Sequence, residues 1–223
     1  IQMLQKIKPN SVLLLGNNIT NLVENSLMEL FNLEKENVIK EKLSLPKNLK
    51  VSISKDENKL SSLVKLLRSN TAKNIGSIII FCNLRKSVEK VTSFLNQNGL
   101  SASAYHAGKS EIERQLIQSN FLNDKIKILV STSGFCNGIC KSDIRFVILF
   151  DIPPSIDLFL QQINRGGRDK KDTNVHIFLN DEDYFIQRNM IYYDNFDKIS
   201  ICKFVENLFY PCIKKIYSYK ETK

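Results

Sequence analysis

The chain has 223 residues, 43% of them hydrophobic and 25% charged, with only 8 Gly and 5 Pro. That composition excludes collagen-like, linker-like and wholly disordered chains, and the length allows a real hydrophobic core. A net charge of +9 suits a polyanionic partner, and equally a lysine-rich composition from biased codons, since 25 of the 32 cations are Lys.

No run of about 18 apolar residues is present, so no membrane-spanning helix is expected. The first residues, Ile1-Gln2-Met3-Leu4, carry neither an initiator Met nor a charged secretory leader, and read as the start of a fragment. A β-run, Ser11-Val12-Leu13-Leu14-Leu15, is followed by a helix-period segment over about 21–33, with Leu22, Val23, Leu27, Leu30 and Phe31 on one face. Residues 34–47 are charged and end in Leu45-Pro46, which marks a linker and a domain boundary.

Beyond Pro46 strands and helices alternate. A strand is expected over 49–54 and a helix over about 56–68. Ser77-Ile78-Ile79-Ile80-Phe81-Cys82 reads as a strand buried on both faces. A helix over about 87–97 stops at Gly99, a candidate C′ glycine. A strand over 101–105 leads to Ser110-Glu111-Ile112-Glu113, a capping box opening a helix to about Phe121. Strands follow over 126–131 and 145–150, a helix capped by Ser155 runs to about Asn164, and a last strand covers 175–179. Helices over about 181–192 and 198–209 finish the chain, the second stopped by Pro211. Such alternation predicts an α/β fold with a mostly parallel sheet, in which ligands meet the carboxyl ends of the strands.

Five of the eight glycines lie between positions 108 and 167, namely Gly108, Gly134, Gly138, Gly166 and Gly167. Glycine allows close backbone approach to a ligand, as a phosphate-contacting edge requires; ordinary turns would use it too. The sharpest local signal is Gln161-Gln162-Ile163-Asn164-Arg165-Gly166-Gly167-Arg168-Asp169. Two arginines three apart at a helix end can aim both guanidiniums at one anionic centre. The alternative is that they are surface cations, or pair with Asp169 and Asp172.

Other chemistries find less support. Gly108-Lys109-Ser110 resembles the end of a P-loop, but Ser103 stands where its first glycine belongs. Asp181-Glu182-Asp183 follows no buried strand closely enough to hold Mg²⁺ as a Walker-B acid, and reads as a helix cap. The stretch is therefore expected to have no nucleotide cradle of its own. His106 lacks a Ser or Cys partner pattern for a nucleophilic triad. The five cysteines form no C-x-x-C pair, which reads as reduced thiols in a cytosolic or nuclear protein without a zinc site at Cys136 and Cys140.

Taken in order, these pieces resemble the second RecA-like domain of the RecQ DNA helicases over about residues 46–180. Ile78-Ile79-Ile80-Phe81-Cys82-Asn83-Leu84-Arg85 is similar to helicase motif IV, and Ala104-Tyr105-His106-Ala107-Gly108 matches the family's AYHAG. The run from Ile128 to Ile139 resembles motif V and continues into Phe150-Asp151-Ile152-Pro153; Gln161 to Asp169 resembles motif VI, QxxGRAGRD. DEAD-box RNA helicases share motif VI but not AYHAG or FDIP. The SIIIFCN form, Leu45-Pro46-Lys47-Asn48-Leu49 and the tail Phe204 to Cys212 look closest to the Rothmund–Thomson-type RecQ-like helicases, as does the lack of a four-cysteine zinc module.

The resemblance implies an α/β, RecA-like (P-loop-NTPase-type) helicase C-terminal domain over 48–180. Residues 1–33 would be the end of the first RecA-like domain, 34–47 a linker, and 181–223 a helical extension. It implies ATP and Mg²⁺, bound mainly by the first RecA-like domain in cis, with Gln161, Arg165 and Arg168 reaching that ATP. Arg168 would be the arginine finger and Arg165 a supporting contact. Asn83, Arg85, Gly108 and Thr132 would touch the DNA backbone, which positions a strand without reading its sequence. Gly138 and Asp169 would support these residues rather than touch ligands, and no residue would bind a metal. The whole protein would be a monomeric, nuclear ATP-dependent 3′–5′ helicase acting in DNA replication, recombination or repair, with no membrane partner. The alternative is a degenerate fold serving as a DNA-binding or replication scaffold. It is motivated by departures: Gly16-Asn17-Asn18-Ile19-Thr20 in place of the motif III core, Cys136-Asn137 for Gly-Met in motif V, and Asn164 and Lys170 at expected glycines of motif VI.

Overall fold

A computed structural model of the chain describes residues 11–16, 21–39, 45–69, 76–136, 141–183 and 185. The chain divides into two compact units, Ile1–Pro46 and Lys47–Lys223. In the first, helix α1 (Asn21–Phe31) forms where the apolar period predicts it, followed by a single 3-10 turn at Lys35–Asn37. The β-run over 11–15 is not a strand: it is irregular, with Leu13 and Leu15 80% and 86% exposed. A strand needs a neighbour for its N–H and C=O groups, and no described segment of this unit pairs with it.

The second unit holds the sheet. Its strands are β1 (Leu49–Lys55), β2 (Ser77–Phe81), β3 (Ala102–Tyr105), β4 (Ile128–Ser131), β5 (Ile144–Leu149) and β6 (Thr173–Leu179). They lie in the order β1-β6-β5-β2-β4-β3, every pairing parallel. Four helices connect them: α2 (Lys59–Arg68), α3 (Arg85–Gln97), α4 (Glu111–Leu122) and α5 (Ile156–Ile163). This is the α/β architecture the alternation predicts, with all six strands parallel.

The two-residue pleat sorts the strand side chains into two cores. Ile78, Ile80, Val130 and Ile148 pack with Leu63 and Leu67 of α2 and with Val88 and Leu95 of α3. On the other face, Ile79, Phe81, Leu129, Val147 and Leu149 pack with Phe121 of α4 and Ile163 of α5. That double cover is why β2 and β4 read as unbroken apolar runs. Edge strand β1 differs, leaving Val51 and Ile53 exposed.

Local chemistry sets the helix ends. The Asn58 side chain accepts from Ser61 N at the start of α2, and the Ser155 side chain accepts from Leu158 N at the start of α5. Ser110 and Glu113 complete a reciprocal capping box on α4. Gly99, at φ +74°, ends α3 as a C′ glycine. After β6 the chain enters a helical turn at residues 181–183. Most of the helix expected over 181–192, all of the one over 198–209, residues 17–20 of the motif III region and Gly138 lie outside the described residues.

Candidate functional site

The residues singled out by sequence fall on opposite edges of the sheet. Helix α5 is the crossover from β5 to β6, so it runs back antiparallel to the strands and delivers its last turn to their amino ends. Gly167 N donates to the carbonyl of Ile144, the first residue of β5, at 3.0 Å, and Asp169 N donates to Ser142 O at 3.3 Å. Arg165 and Arg168 therefore depart from the carboxyl-edge rule for ligands in parallel sheets. They stand at the amino edge, under β5 and β6.

The turn that carries them is tightly built. A Cβ on Gly166 would stand 2.6 Å from Thr173 Cγ2 and 2.9 Å from Val147 Cγ2. Gly167 has φ +58°, and a Cβ there would stand 2.4 Å from Asn48 Nδ2 and 2.8 Å from Lys171 O. Asn48 Nδ2 donates to both Gly167 O and Lys171 O at 2.9 Å, clipping the turn to the residue before β1. The carboxylates adjacent to the arginines are held by other cations. Asp169 forms a two-pronged bridge to Arg145, and Asp172 lies 2.6 Å from Lys50 Nζ. The Arg145 guanidinium lowers the Asp169 carboxyl to about 2. Asp169 thus ties the turn to Arg145 of β5. Arg165 is half-buried and Arg168 exposed, its Nε donating to Asn164 O at 3.2 Å. Gln161 is half-buried on the last turn of α5.

The two motif VI departures differ physically. Asn164 sits at φ −71° as the C-cap of α5, where no glycine is needed. Lys170 sits at φ +65°, in the left-handed region that costs an L-residue about 1–2 kcal/mol.

At the carboxyl edge, β2, β4 and β3 are neighbours, so their following loops gather Asn83 and Arg85, Thr132, and Gly108 along one rim. Asn83 turns inward: its N–H donates to Asp151 Oδ2 at 2.9 Å and its Nδ2 to Ile152 O at 2.7 Å. Its side chain braces the loop after β5, whereas Arg85 is exposed. Arg85 is the exposed first residue of α3, and its Cδ lies 3.4 Å from where a Cβ on Gly108 would stand. Thr132 N donates to Tyr105 O at 3.3 Å, tying the loop after β4 to β3. His106, which sequence set aside as a nucleophile's partner, is buried and bridges Gly108 N and Glu89. A histidine two residues before a glycine at a strand end is the signal that would have found it.

Along the same edge, Lys59, Ser87, Lys90, Asp151 and Asp183 border a polar cleft of about 270 Å³. Lys59 Nζ is buried 2.6 Å from Asp183 and donates to Phe150 O at 2.9 Å. Asp183 also caps its own turn, accepting from Asn180 N at 2.7 Å, so the acidic run caps a helix and neutralises a buried lysine. Burial raises the Asp151 carboxyl and pushes the Cys82 thiol up. Among the described residues no group of three or more His, Cys, Asp or Glu gathers to hold a metal ion.

Comparison with known proteins gives the geometry its context. The chain is 29% identical over 205 residues to the Arabidopsis thaliana ATP-dependent DNA helicase Q-like 5, covering 92% of this chain and 22% of that protein. It is 30% identical over 184 residues to the human ATP-dependent DNA helicase Q4, covering 75% and 15%. It is 38% identical over 128 residues to the Haemophilus influenzae ATP-dependent DNA helicase RecQ, covering 57% and 21%. The chain thus spans less than a quarter of the length of each of these relatives. In fold it is similar to S. cerevisiae Dbp5, solved bound to RNA and ADP BeF3, with a TM-score of 0.64 at 20% identity over 79% of this chain and 46% of that one. The model of the helicase conserved C-terminal domain matches residues 58–170, just over half the chain. That span opens at the cap of α2 and closes at the left-handed Lys170, taking in both edges of the sheet: the chain belongs to the helicase conserved C-terminal domain family, and its relatives include RecQ helicases.

Proposed function

We propose that this chain is the second RecA-like half of a RecQ-type motor, closest to the Rothmund–Thomson type. In the whole protein it serves ATP-dependent 3′–5′ DNA unwinding in nuclear replication, recombination or repair. The observation that carries the reading is the motif VI turn: two arginines within four residues, on a glycine corner whose neighbouring carboxylates bridge to Arg145 and Lys50. Such a corner fits an anionic group, because it holds two guanidinium forks three residues apart on one tightly built turn. In this reading Arg168 is the arginine finger on the γ-phosphate of ATP, Arg165 a supporting contact, and Gln161 a further contact. The first RecA-like domain supplies the P-loop and the acid that holds Mg²⁺. A finger of this kind supplies charge where phosphoryl transfer develops it and contributes on the order of 10³-fold or more to turnover. Arg85 and the loops after β3 and β4 form the DNA-backbone rim.

The test is Arg168→Ala in the full-length protein. DNA-stimulated ATP hydrolysis should fall at least about 10³-fold while nucleotide binding is kept. Turnover at the wild-type rate would overturn the assignment.

A second reading, a scaffold that binds DNA without unwinding it, draws on Lys170 at φ +65°, a strained residue inside the motif VI turn. It expects salt-dependent DNA binding and no ATP-driven strand separation. Robust unwinding by the full-length protein would exclude it.

A further inference from the structure

The carboxyl rim contains a device that the DNA-binding reading alone does not require. Gly108 N lies 3.1 Å from His106 Nδ1, and a backbone N–H can only donate, so Nδ1 is the acceptor. The other ring nitrogen, Nε2, lies 2.7 Å from Glu89 Oε1, a carboxylate that accepts, so Nε2 carries the proton. Two neighbours thus select one neutral tautomer, and the ring, 7% exposed, has little room to turn. Hydrogen bonding to His106, and then to Lys109, lowers the Glu89 carboxyl from its ordinary value. Lys109 Nζ reaches the same carboxylate at 3.2 Å, and Lys109 N donates to His106 O at 3.1 Å.

Glu89 stands one helical turn after Arg85 on α3, so both side chains share a face of that helix. The imidazole meets that face at Glu89, and Gly108 meets it at Arg85. A Cβ on Gly108 would meet His106 Nδ1 at 3.0 Å and Arg85 Cδ at 3.4 Å, so the Arg85 stem lies directly over the glycine. The Gly108 and Lys109 N–H groups are both engaged with His106. The loop therefore offers a phosphate less through its own donors than through the guanidinium it supports.

We propose that His106 is a positioning residue: locked by Glu89, it fixes the Gly108 platform that aims Arg85 at a phosphodiester of the bound strand. The proposal deepens the DNA-rim reading and rests on it.

The test measures binding of a fluorescently labelled oligothymidylate by the full-length protein across a salt series, with thermal unfolding of each variant as a folding control. Arg85→Ala should weaken binding about tenfold and reduce the salt slope by about one. His106→Phe, which keeps a ring and loses the acceptor, should do the same, and so should Gly108→Ala, whose Cβ would stand 3.0 Å from His106 Nδ1 and press on the ring. His106→Asn is the rescue: an Asn oxygen accepts from the N–H two residues on, the same bond that Nδ1 makes, so it should bind within about twofold of wild type. If Arg85→Ala binds as wild type, the DNA-rim reading falls and takes the proposal with it. If Arg85→Ala weakens binding but His106→Phe does not, the proposal alone is wrong. It is also wrong if His106→Asn binds as poorly as His106→Phe, because the ring would then matter only as packing.

Discussion

Lys170→Gly should stabilise this protein, and the size of the gain follows from one dihedral angle. Lys170 lies at φ +65° on the surface, at the end of the turn closed by its own N–H on Gly167 O at 2.9 Å. An L-residue there carries about 1–2 kcal/mol of steric cost. Glycine removes that cost and gives back about 0.5–1 kcal/mol through its greater freedom in the unfolded chain. The net expectation is a gain of up to about 1.5 kcal/mol, centred on about 0.75 kcal/mol. With a urea dependence of about 2 kcal/mol per molar, the central figure raises the unfolding midpoint by about 0.4 M. Lys170→Ala keeps the Cβ and should give no such rise. Gly167→Ala, three residues earlier at φ +58°, should move the midpoint the other way. Its Cβ would stand 2.4 Å from Asn48 Nδ2, 2.6 Å from Thr173 Oγ1 and 2.8 Å from Lys171 O, and the expected loss is about 2–4 kcal/mol. Urea titration of the four proteins decides the matter. A Lys170→Ala midpoint equal to that of Lys170→Gly would show that the lysine side chain, not its backbone, is responsible, and would refute the reasoning.

Two further outcomes concern ion pairs, one beside the polar cleft and one at the arginine turn. Asp183→Ala leaves the buried Lys59 ammonium without its carboxylate and should cost about 3–5 kcal/mol in urea unfolding, whereas the double replacement Lys59→Met with Asp183→Leu should recover most of it; equal losses in both variants would contradict the account. Because Arg145 lowers the Asp169 carboxyl to about 2, the bridge stabilises the fold fully above the unfolded carboxylate value of about 3.9, and that contribution is lost as pH falls through about 2. Asp169→Asn should flatten that part of the acid limb when the urea midpoint is followed against pH, and an unaltered limb would remove the bridge from the explanation.

The middle of the sheet was legible because β2 and β4 are buried on both faces. Ile78, Ile79 and Ile80 leave no polar phase to confuse with a helix, and Ser110, Ser155 and Gly99 mark helix ends through chemistry local to a few residues. The β-run at 11–15 misled for the complementary reason: its composition is that of a strand, but strand formation depends on a partner that composition does not specify. The arginine motif was visible as residue types at a spacing. Its location was not, because the edge it occupies is fixed by the β5-α5-β6 crossover. Nor does anything local to Asp169 announce Arg145, 24 residues away, or anything near Asp183 announce Lys59, at a separation of 124. Asn83 shows the same limit: its type suits a phosphate contact, while its amide serves the backbone of Ile152.

Because Arg168 and Arg85 occupy opposite ends of the strands, no side chain can belong to both neighbourhoods. The span between them is about 20 Å, the length of six residues of β5 at about 3.3 Å each. It is filled by Val147, Ile148 and Leu149, which have no exposed surface. A close-packed interior of this kind does not bend locally. Such packing has low compressibility and transmits strain, so the arginine corner and the opposite rim are joined through one stiff core rather than through a chain of polar contacts.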